Sequence, residues 1–236
     1  MSKLEANENN KVYLSIVQGS LRQSVQKGTQ GAIEREWEAG GESGTKYEKV
    51  HSAATGFIKD ISFFDGESKG RKFTNINIVL DENEEGKQPV LSTGIATRYA
   101  SDILKKLPNI NFEEEIRLRP YAFQPEGEDK TVTGVEITQR DHTGNFEKKI
   151  TSFFHKKNKE DKWEAINGYP IPEGNTNDFT TDDWDIFYKQ ARKFLINYTK
   201  EKICTKFSEE GTRTIRSLRE TAAKQKEEIT DSEIPF

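Results

Sequence analysis

The hydrophobic pattern from residue 50 to residue 140 constrains the fold most, because it switches between strand-like and helix-like spacing in a fixed order. Apolar and polar residues alternate, as in half-buried β-strands, on both sides of one stretch with helical spacing. Three strands, a helix and two strands is the order found in the OB-fold, a five-stranded Greek-key β-barrel, although other α+β folds share it. We therefore predict a mainly β protein built on an OB-fold barrel. The predicted strands are 50–64, 71–81, 88–93, 114–124 and 131–140, and the helix carries Ile95, Tyr99, Ile103, Leu104 and Leu107 before Pro108.

Segments on both sides of this region are predicted to elaborate the barrel. Residues 11–26 have a strand-like pattern with a bend at Gly19, and the glycine-rich residues 27–46 are predicted to form a loop. Residues 145–157 are predicted to form a β-hairpin arm. From Thr181, the predicted N-cap, to about residue 205, an apolar stripe predicts a C-terminal helix. That stripe must be covered, either by the barrel or by a second copy of the chain in a homodimer.

Composition indicates that part of the chain lies outside the core. Hydrophobic residues make up 32% of the 236 residues and charged residues another 32%, and residues 208–229 hold few apolar groups. We expect a mobile N-terminal lead (1–10), an elaborated OB-fold domain (11–176), a C-terminal helix (177–206) and a flexible tether with an acidic tip (207–236).

The same composition bears on compartment and charge. No apolar run approaches the roughly 18 residues of a membrane span, and the first ten residues lack a hydrophobic signal region. The single cysteine, Cys204, excludes an internal disulfide and fits a reducing cytoplasm. A net charge of −4 means that any nucleic-acid binding must use a local basic patch.

Two predicted strands present basic and aromatic residues opposite an apolar face. Side chains alternate along a strand, so Ile76, Ile78 and Leu80 are predicted to face the barrel interior. The opposite faces combine rings with cations, which suits single-stranded nucleic acid, since rings stack on unpaired bases and cations pair with phosphates. The alternative is a structural role, in which the rings pack under the C-terminal helix or the arm. The predicted binding residues are Arg71, Phe73, Asn75, Asn77, Arg117, Arg119, Tyr121 and Phe123, with Lys59, Lys148 and Lys149 widening the path.

The chain ends in a short acidic and apolar segment that has no core to join. Phe236 carries both an aromatic ring and the terminal carboxylate, and Pro235 limits the backbone freedom lost on docking. Pockets with an apolar floor and a basic rim bind such peptide ends. The predicted partner-binding tip comprises Asp231, Glu233, Ile234, Pro235 and Phe236.

This ending resembles the acidic tip of bacterial and phage single-stranded DNA-binding proteins, which typically reads Asp-Asp-Asp-Ile-Pro-Phe. The resemblance covers only the last six residues, and Ser232 departs from it. The acidic run before the tip is also thin, because Glu227 and Glu228 follow Lys224 and Lys226. The resemblance implies a tail that recruits replication, recombination and repair proteins such as a polymerase, helicase or nuclease.

No sequence motif predicts an enzyme, a metal site or a cofactor. His51, His142 and His155 lack metal-ligand spacing, and phosphate-binding or nucleophile-elbow glycine motifs are missing. Glu85-Gly86-Lys87 after Asp81 weakly resembles a nuclease signature, but these residues fall in a turn. Cys204 has no evident base partner.

We therefore predict a non-catalytic protein of bacterial or phage origin that coats single-stranded DNA without sequence preference in DNA replication, recombination and repair. A strand-annealing or RNA-binding OB-fold protein is the alternative within nucleic-acid binding. The alternative from another class is an adaptor that uses Phe236 as a docking peptide and binds no nucleic acid.

Overall fold

The computed structural model describes residues 10–39, 41–68, 70–140 and 144–208. Thirteen strands and two α-helices lie in this part of the chain, which confirms a mainly β protein. The strands are β1 (Lys11–Val17), β2 (Ser20–Val25), β3 (Ile33–Ala39), β4 (Glu42–His51), β5 (Ala54–Gly56), β6 (Ile58–Ser68), β7 (Arg71–Leu80), β8 (Gln88–Gly94), β9 (Ile116–Phe123), β10 (Val132–Gln139), β11 (Lys148–Lys149), β12 (His155–Lys157) and β13 (Trp163–Ala165). The helices are α1 (Arg98–Lys106) and α2 (Thr181–Lys202).

A seven-stranded mixed sheet in the order β3-β4-β2-β1-β8-β7-β6 is the largest element of the fold. Its neighbours are antiparallel except β1 and β8, which run parallel. One face of this sheet is apolar because alternate residues of the strands, such as Leu14, Ile78 and Leu91, point the same way and are buried.

A second sheet has four strands in the order β11-β10-β9-β5. Its buried residues, including Leu118 and Ile137, join the apolar side chains of the large sheet in one core cluster. Leu104 of α1 and Leu195 of α2 belong to the same cluster. Both helices therefore pack on the core formed by the two sheets. The β12–β13 hairpin is a separate two-stranded sheet.

The order of elements from β6 to β10 is strand-strand-strand-helix-strand-strand, as predicted, but the described strands do not close into a barrel. One reason lies at the edge of β10 opposite β9, where β11 pairs only with Thr138 and Gln139 and α1 contacts the strand at Val135. The Val135 N–H donates to Asp102 Oδ2 at 2.7 Å, and Lys106 Nζ donates to the Val135 carbonyl at 2.7 Å. Lys106 also donates to Asp102 at 2.8 Å. These side chains satisfy backbone groups that a closing strand would otherwise pair.

The position beside β8 is taken by β1. The β1–β2 turn then packs against β9, because a Cβ added to Gly19 would stand 2.3 Å from the Ala122 nitrogen. The Gly19 N–H donates to the Tyr99 hydroxyl at 2.9 Å, which ties the same turn to α1. The N-terminal hairpin β1–β2 thus belongs to the large sheet, and its turn contacts β9 of the second sheet at the point where a barrel would close.

Several predicted boundaries are wrong. Residues 27–46, predicted as a loop, contain β3 and the start of β4, which pair as a hairpin. The predicted strand 50–64 is broken into the end of β4, β5 and part of β6, and β6 continues past the predicted end at residue 64 to Ser68. The predicted arm at 145–157 is not one hairpin, since β11 pairs with β10 and β12 pairs with β13.

The C-terminal helix was predicted closely. It begins one residue after its N-cap Thr180 rather than after Thr181, and Thr180 forms a reciprocal capping box with Asp183. Its buried residues Ala191, Leu195 and Thr199 lie between the middle of the helix and its C-terminal end, so the core covers part of its apolar stripe. A contact between two copies stays a prediction. Among the described residues, neither helix combines the length and apolar character that crossing a membrane requires.

Candidate nucleic-acid interface

The outer face of β7 carries the first set of predicted binding residues. Ile76, Ile78 and Leu80 are fully buried, as predicted, while Arg71 and Phe73 on the opposite face are exposed. The ring of Phe73 lies 6.2 Å from that of Phe64, which is 54% exposed and was not predicted as a binding residue. The two rings form an exposed aromatic pair beside Arg71.

A glycine explains how Phe73 is held. Gly66 on β6 is its cross-strand partner, and a Cβ there would stand 2.5 Å from the Phe73 Cζ atom. The ring therefore covers Gly66, and its other side points away from the sheet.

The two predicted amides on this face, Asn75 and Asn77, are only half-exposed. Asn75 donates to Ser92 Oγ at 3.2 Å, so this amide already has a partner in the sheet. Asn77 Oδ1 is buried without a hydrogen-bond partner among the described residues. These amides are less accessible to a ligand than Arg71 and Phe73.

The strand register shows which residues of the other strands lie on the same face of the large sheet as Phe73. Asn77 pairs with Ser92, Ser92 with Ser15, Ser15 with Arg22 and Arg22 with Val50, and paired residues point to the same side. Exposed apolar residues Tyr13, Ile33 and Val50 consequently lie on the side of Phe73. We call Arg71, Phe73, Phe64 and Asn75, at the β6–β7 end of this face, the large-sheet surface.

The outer face of β9 carries the second set, here called the β9 surface: Arg117, Arg119, Tyr121 and Phe123. Arg117, Arg119 and Phe123 are exposed and Tyr121 is half-buried, whereas Ile116 and Leu118 on the other face are buried. The rings of Tyr121 and Phe123 lie 6.0 Å apart. Tyr121 covers Gly134 of β10, where a Cβ would stand 2.4 Å from the Tyr121 hydroxyl. The predicted orientation of this strand is correct.

Carboxylates offset part of the positive charge beside β9. Glu136 lies 3.0 Å from Lys149 and 3.6 Å from Arg119, and Glu114 lies 3.3 Å from Lys148. The hydrogen bond from Lys149 is the main cause of the lowered pKa of Glu136. These exposed pairs are weak, so a phosphate can replace the carboxylate at little cost.

Lys59 does not join either surface. It is exposed at a β-bulge near the start of β6, where the register shifts between Ile58 and Asp60. Seven residues of strand separate it from Gly66 beside Phe73, a distance of roughly 23 Å at about 3.3 Å per residue. The predicted contribution of Lys59 to the path beside Arg71 is not supported by its position. The same bulge explains why Phe63 packs against the core while Phe64 is exposed.

The two surfaces belong to different sheets, contrary to the single two-strand face expected from side-chain alternation. Two adjoining depressions connect them. One, of about 770 Å³, contains Phe73, and the other, of about 510 Å³, contains Tyr121. Both are lined by Ile95, Ala96 and Arg192, so Arg192 of α2 stands between the surfaces.

The smaller depression, here called the linking cleft, lies between α1, α2 and the end of the β9–β10 hairpin. Lys105 of α1 is half-buried in it, with its ammonium 5.1 Å from the centre of the Tyr169 ring. Burial lowers the pKa of Lys105, and nearby Asp102 opposes that shift. The polar and aromatic lining residues are Thr97, Arg98, Ser101, Asp102, Lys105, Tyr121, Thr133, Tyr169, Asp185, Tyr188 and Arg192.

This cleft was not predicted, although the helical spacing of its lining residues is visible in the sequence. Arg98, Asp102 and Lys105 recur at helical intervals along α1, as do Asp185, Tyr188 and Arg192 along α2. The apolar stripes of both helices predict packing, and the polar residues beside those stripes match no known binding motif.

The remaining predictions concern a metal site, the turn at Glu85, Cys204 and the C-terminal tip. No group of three or more His, Cys, Asp and Glu side chains there is arranged to hold a metal ion. Glu85 pairs with Lys87 in an exposed turn. Burial raises the pKa of Cys204 to about 11, so its thiolate is disfavoured. The tip residues Asp231, Glu233, Ile234, Pro235 and Phe236 lie outside the described residues.

Comparison of the chain with known protein families, with curated proteins and with solved structures finds no match.

Proposed function

We propose that this chain is a sequence-tolerant single-stranded DNA-binding protein. The observation that carries the proposal is the presence of two ring pairs on outward faces of the sheets. Phe64 and Phe73 are both exposed beside Arg71, and the exposed Phe123 lies with the half-buried Tyr121 beside Arg117 and Arg119. Base stacking on such rings contributes about 1–3 kcal/mol per base and does not select one base. Arg71, Arg117 and Arg119 supply charge for the phosphates.

The proposed body of the protein is an OB-fold opened by its N-terminal hairpin. In this interpretation β5 and β6 form the first strand, β7 the second, β8 the third, and β9 and β10 the fourth and fifth. The pairings β6–β7, β7–β8, β9–β10 and β5–β9 support it. OB-folds bind oligonucleotides on the face of strands two and three and with the loops before strands two and five, which here flank Phe73 and Phe123.

The acidic C-terminal tip is proposed to recruit a helicase, nuclease, polymerase or recombination protein. A tether of about twenty residues keeps the tip near the DNA-binding surface at an effective concentration in the millimolar range. The tip therefore competes weakly with DNA and is released when DNA is bound. The support is the combination of an acidic aromatic end with a basic aromatic surface on one chain.

Affinity for oligo(dT), oligo(rU) and duplex DNA at two salt concentrations tests the class of ligand. The proposal expects tighter binding of oligo(dT) than of duplex and a loss of affinity as salt rises. Preference for oligo(rU) favours the RNA-binding alternative, since only RNA offers a 2′-hydroxyl. Acceleration of pairing between complementary strands favours the annealing alternative. Absence of binding to all three ligands leaves the adaptor and contradicts the proposal.

Removal of residues 229–236 tests the role of the tip. DNA affinity should stay equal or rise, because a competing anion is lost. Proteins retained on oligo(dT) by the complete chain should no longer be retained, and the free peptide Asp-Ser-Glu-Ile-Pro-Phe should displace them from the complete chain. Loss of DNA binding with retained recruitment contradicts the proposal.

A further inference from the structure

We infer that the linking cleft binds one nucleotide unit of the DNA strand, with Lys105 and Arg192 contacting phosphate and Tyr188 offering a ring to the base. This inference rests on the proposed function and adds a site to it. The cleft has a volume of about 510 Å³, inside the range of about 300–1,000 Å³ common for small-molecule sites. A nucleotide with its flanking phosphate fits a cleft of this size.

The cations of the cleft are available for an anion. Among the described residues, no carboxylate lies within ion-pair distance of Lys105, Arg98 or Arg192. Lys105 is half-buried against Tyr169, so it has lost part of its hydration, and the nearby Asp102 offsets this loss only in part without forming an ion pair with it. Partial desolvation strengthens its attraction for a phosphate.

The linking cleft keeps a net positive charge when its acidic residues are counted. Asp102 accepts hydrogen bonds from Lys106 and the Val135 N–H, so its charge is already matched. Asp185, on the exposed first half of α2, is the remaining acid among the lining residues. Three cations, Arg98, Lys105 and Arg192, face this one unmatched carboxylate.

The aromatic wall of the cleft is formed by α2. Tyr188 is 54% exposed and stacks on Trp184, with ring centres 5.7 Å apart and an angle of 25° between the planes. A base stacked on Tyr188 extends this pair. Tyr121 lines the same cleft and also belongs to the β9 surface, while Arg192 also lines the depression that contains Phe73. A strand in the cleft is therefore continuous with both proposed surfaces.

Charge removal in the complete chain tests the inference. Lys105→Met and Arg192→Gln should each weaken binding of labelled oligo(dT) by about tenfold or more, the effect of losing a hydrogen bond to a charged group. Each should also reduce the slope of log affinity against log salt by about 0.7, the value for one phosphate on a single strand. Lys193→Gln, which removes an exposed cation next to Arg192 on α2, is the matched control and should change affinity less than twofold.

Fluorescence of a tryptophan beside the cleft distinguishes DNA binding in the cleft from a general loss of affinity. With Trp37 and Trp163 replaced by phenylalanine, Trp184 is the remaining tryptophan and stacks on the cleft residue Tyr188. Oligo(dT) should change its fluorescence, and Lys105→Met should shift that change to higher DNA concentration. Lys105→Arg, which keeps the charge, should retain binding and serves as a second variant if Lys105→Met does not fold.

The outcomes distinguish this inference from the proposed function. If the unaltered chain does not bind oligo(dT), the proposed function fails and this inference with it. If the unaltered chain binds and the Lys105 and Arg192 variants match the Lys193 control, with an unchanged Trp184 signal, the cleft is not a nucleotide site and the proposed function stands.

Discussion

Individual glycines determine where the aromatic residues of this protein lie. Phe73 covers Gly66, Tyr121 covers Gly134, and Trp37 covers Gly44, where a Cβ would stand 2.9 Å from the indole nitrogen. In each case the glycine is the cross-strand partner of the ring. A ring that covers a glycine is supported from below and keeps its outer side free, which is the geometry that base stacking requires.

At the same scale, His155 gives the protein a measurable pH dependence. Burial and the nearby Lys105 lower the pKa of His155 to about 4, from an ordinary value near 6.5. The unfolded chain therefore binds a proton that the folded chain does not, so the free energy of unfolding should decrease as the pH falls from about 6.5 to 4. The full shift corresponds to about 3 kcal/mol, and solvent screening of the half-exposed ring reduces the expected effect to about 1–2 kcal/mol.

Urea unfolding at pH 7 and pH 4.5 measures this effect. Carboxylates also titrate in this interval, so the quantity to compare is the difference between the unaltered chain and His155→Gln. The variant should lose less stability on acidification. An identical loss in both proteins contradicts the assigned pKa.

The contact of the β1–β2 turn with β9 depends on Gly19. Its φ is +76°, and a Cβ would meet the backbone of Tyr121 and Ala122 within 3 Å. Gly19→Ala should therefore cost about 3 kcal/mol or more, because backbone atoms of β9 must move. Gly28 has a similar φ of +86° with open space around it, so Gly28→Ala should cost about 1 kcal/mol from backbone strain alone. Equal losses in urea unfolding contradict the docking of this turn on β9.

At the scale of elements, the attachment of α1 to β10 replaces the strand pairing that would close a barrel. Asp102 accepts from both the Val135 N–H and Lys106, and its side chain is 26% exposed. Asp102→Ala leaves the Val135 N–H without its acceptor and removes one of two acceptors from Lys106.

Asp102→Ala should consequently reduce the free energy of unfolding by about 2–3 kcal/mol. Glu160→Ala removes the acid of an ion pair of the same 2.8 Å length, but both partners of that pair are at least 70% exposed. This control should cost less than about 0.5 kcal/mol. A cost for Asp102→Ala as small as that of the control shows that the edge of β10 is satisfied in another way.

The elements of this fold were predictable to different degrees. Strands β7, β8, β9 and β10 and both helices follow from their local period and caps, because one face of each is buried. The β3–β4 hairpin was missed since Gly40, Gly41 and Gly44 resemble loop residues, while Gly44 in fact makes room for Trp37. The pairing of β1 with β8 joins residues more than seventy positions apart, and no local pattern carries that information.

The candidate site was also predictable only in part. Alternation along β7 and β9 assigned the exposed faces correctly, including Arg71, Phe73, Arg119 and Phe123. It could not show that these strands belong to different sheets, or that Lys59 lies at a bulge. The linking cleft needed the packing of α2 against α1, which brings Arg192 and Lys105 into one depression.

At the scale of the whole molecule, the proposed DNA binding and the proposed recruitment use separate parts of the chain. The chain has 36 basic and 40 acidic residues, so the proposed DNA binding must use the few cations that lie on the two surfaces and in the linking cleft rather than an overall positive charge. The proposed binding therefore depends on local contacts more than on overall charge. Removing a cation and a ring from one surface should therefore have a large effect, whereas the same removal elsewhere should not.

The most direct measurement is the affinity of the complete chain for oligo(dT) when the β9 surface is altered. Arg119→Gln with Phe123→Ala removes one cation and one exposed ring, and Lys157→Gln with Trp163→Ala removes the same groups from the separate β12–β13 hairpin. We expect the first pair to weaken binding by about tenfold or more, from a stacking loss of about 1–3 kcal/mol and one phosphate contact, and the second to leave it within twofold. Undetectable binding by the unaltered chain, or equal losses in the two variants, would contradict the account.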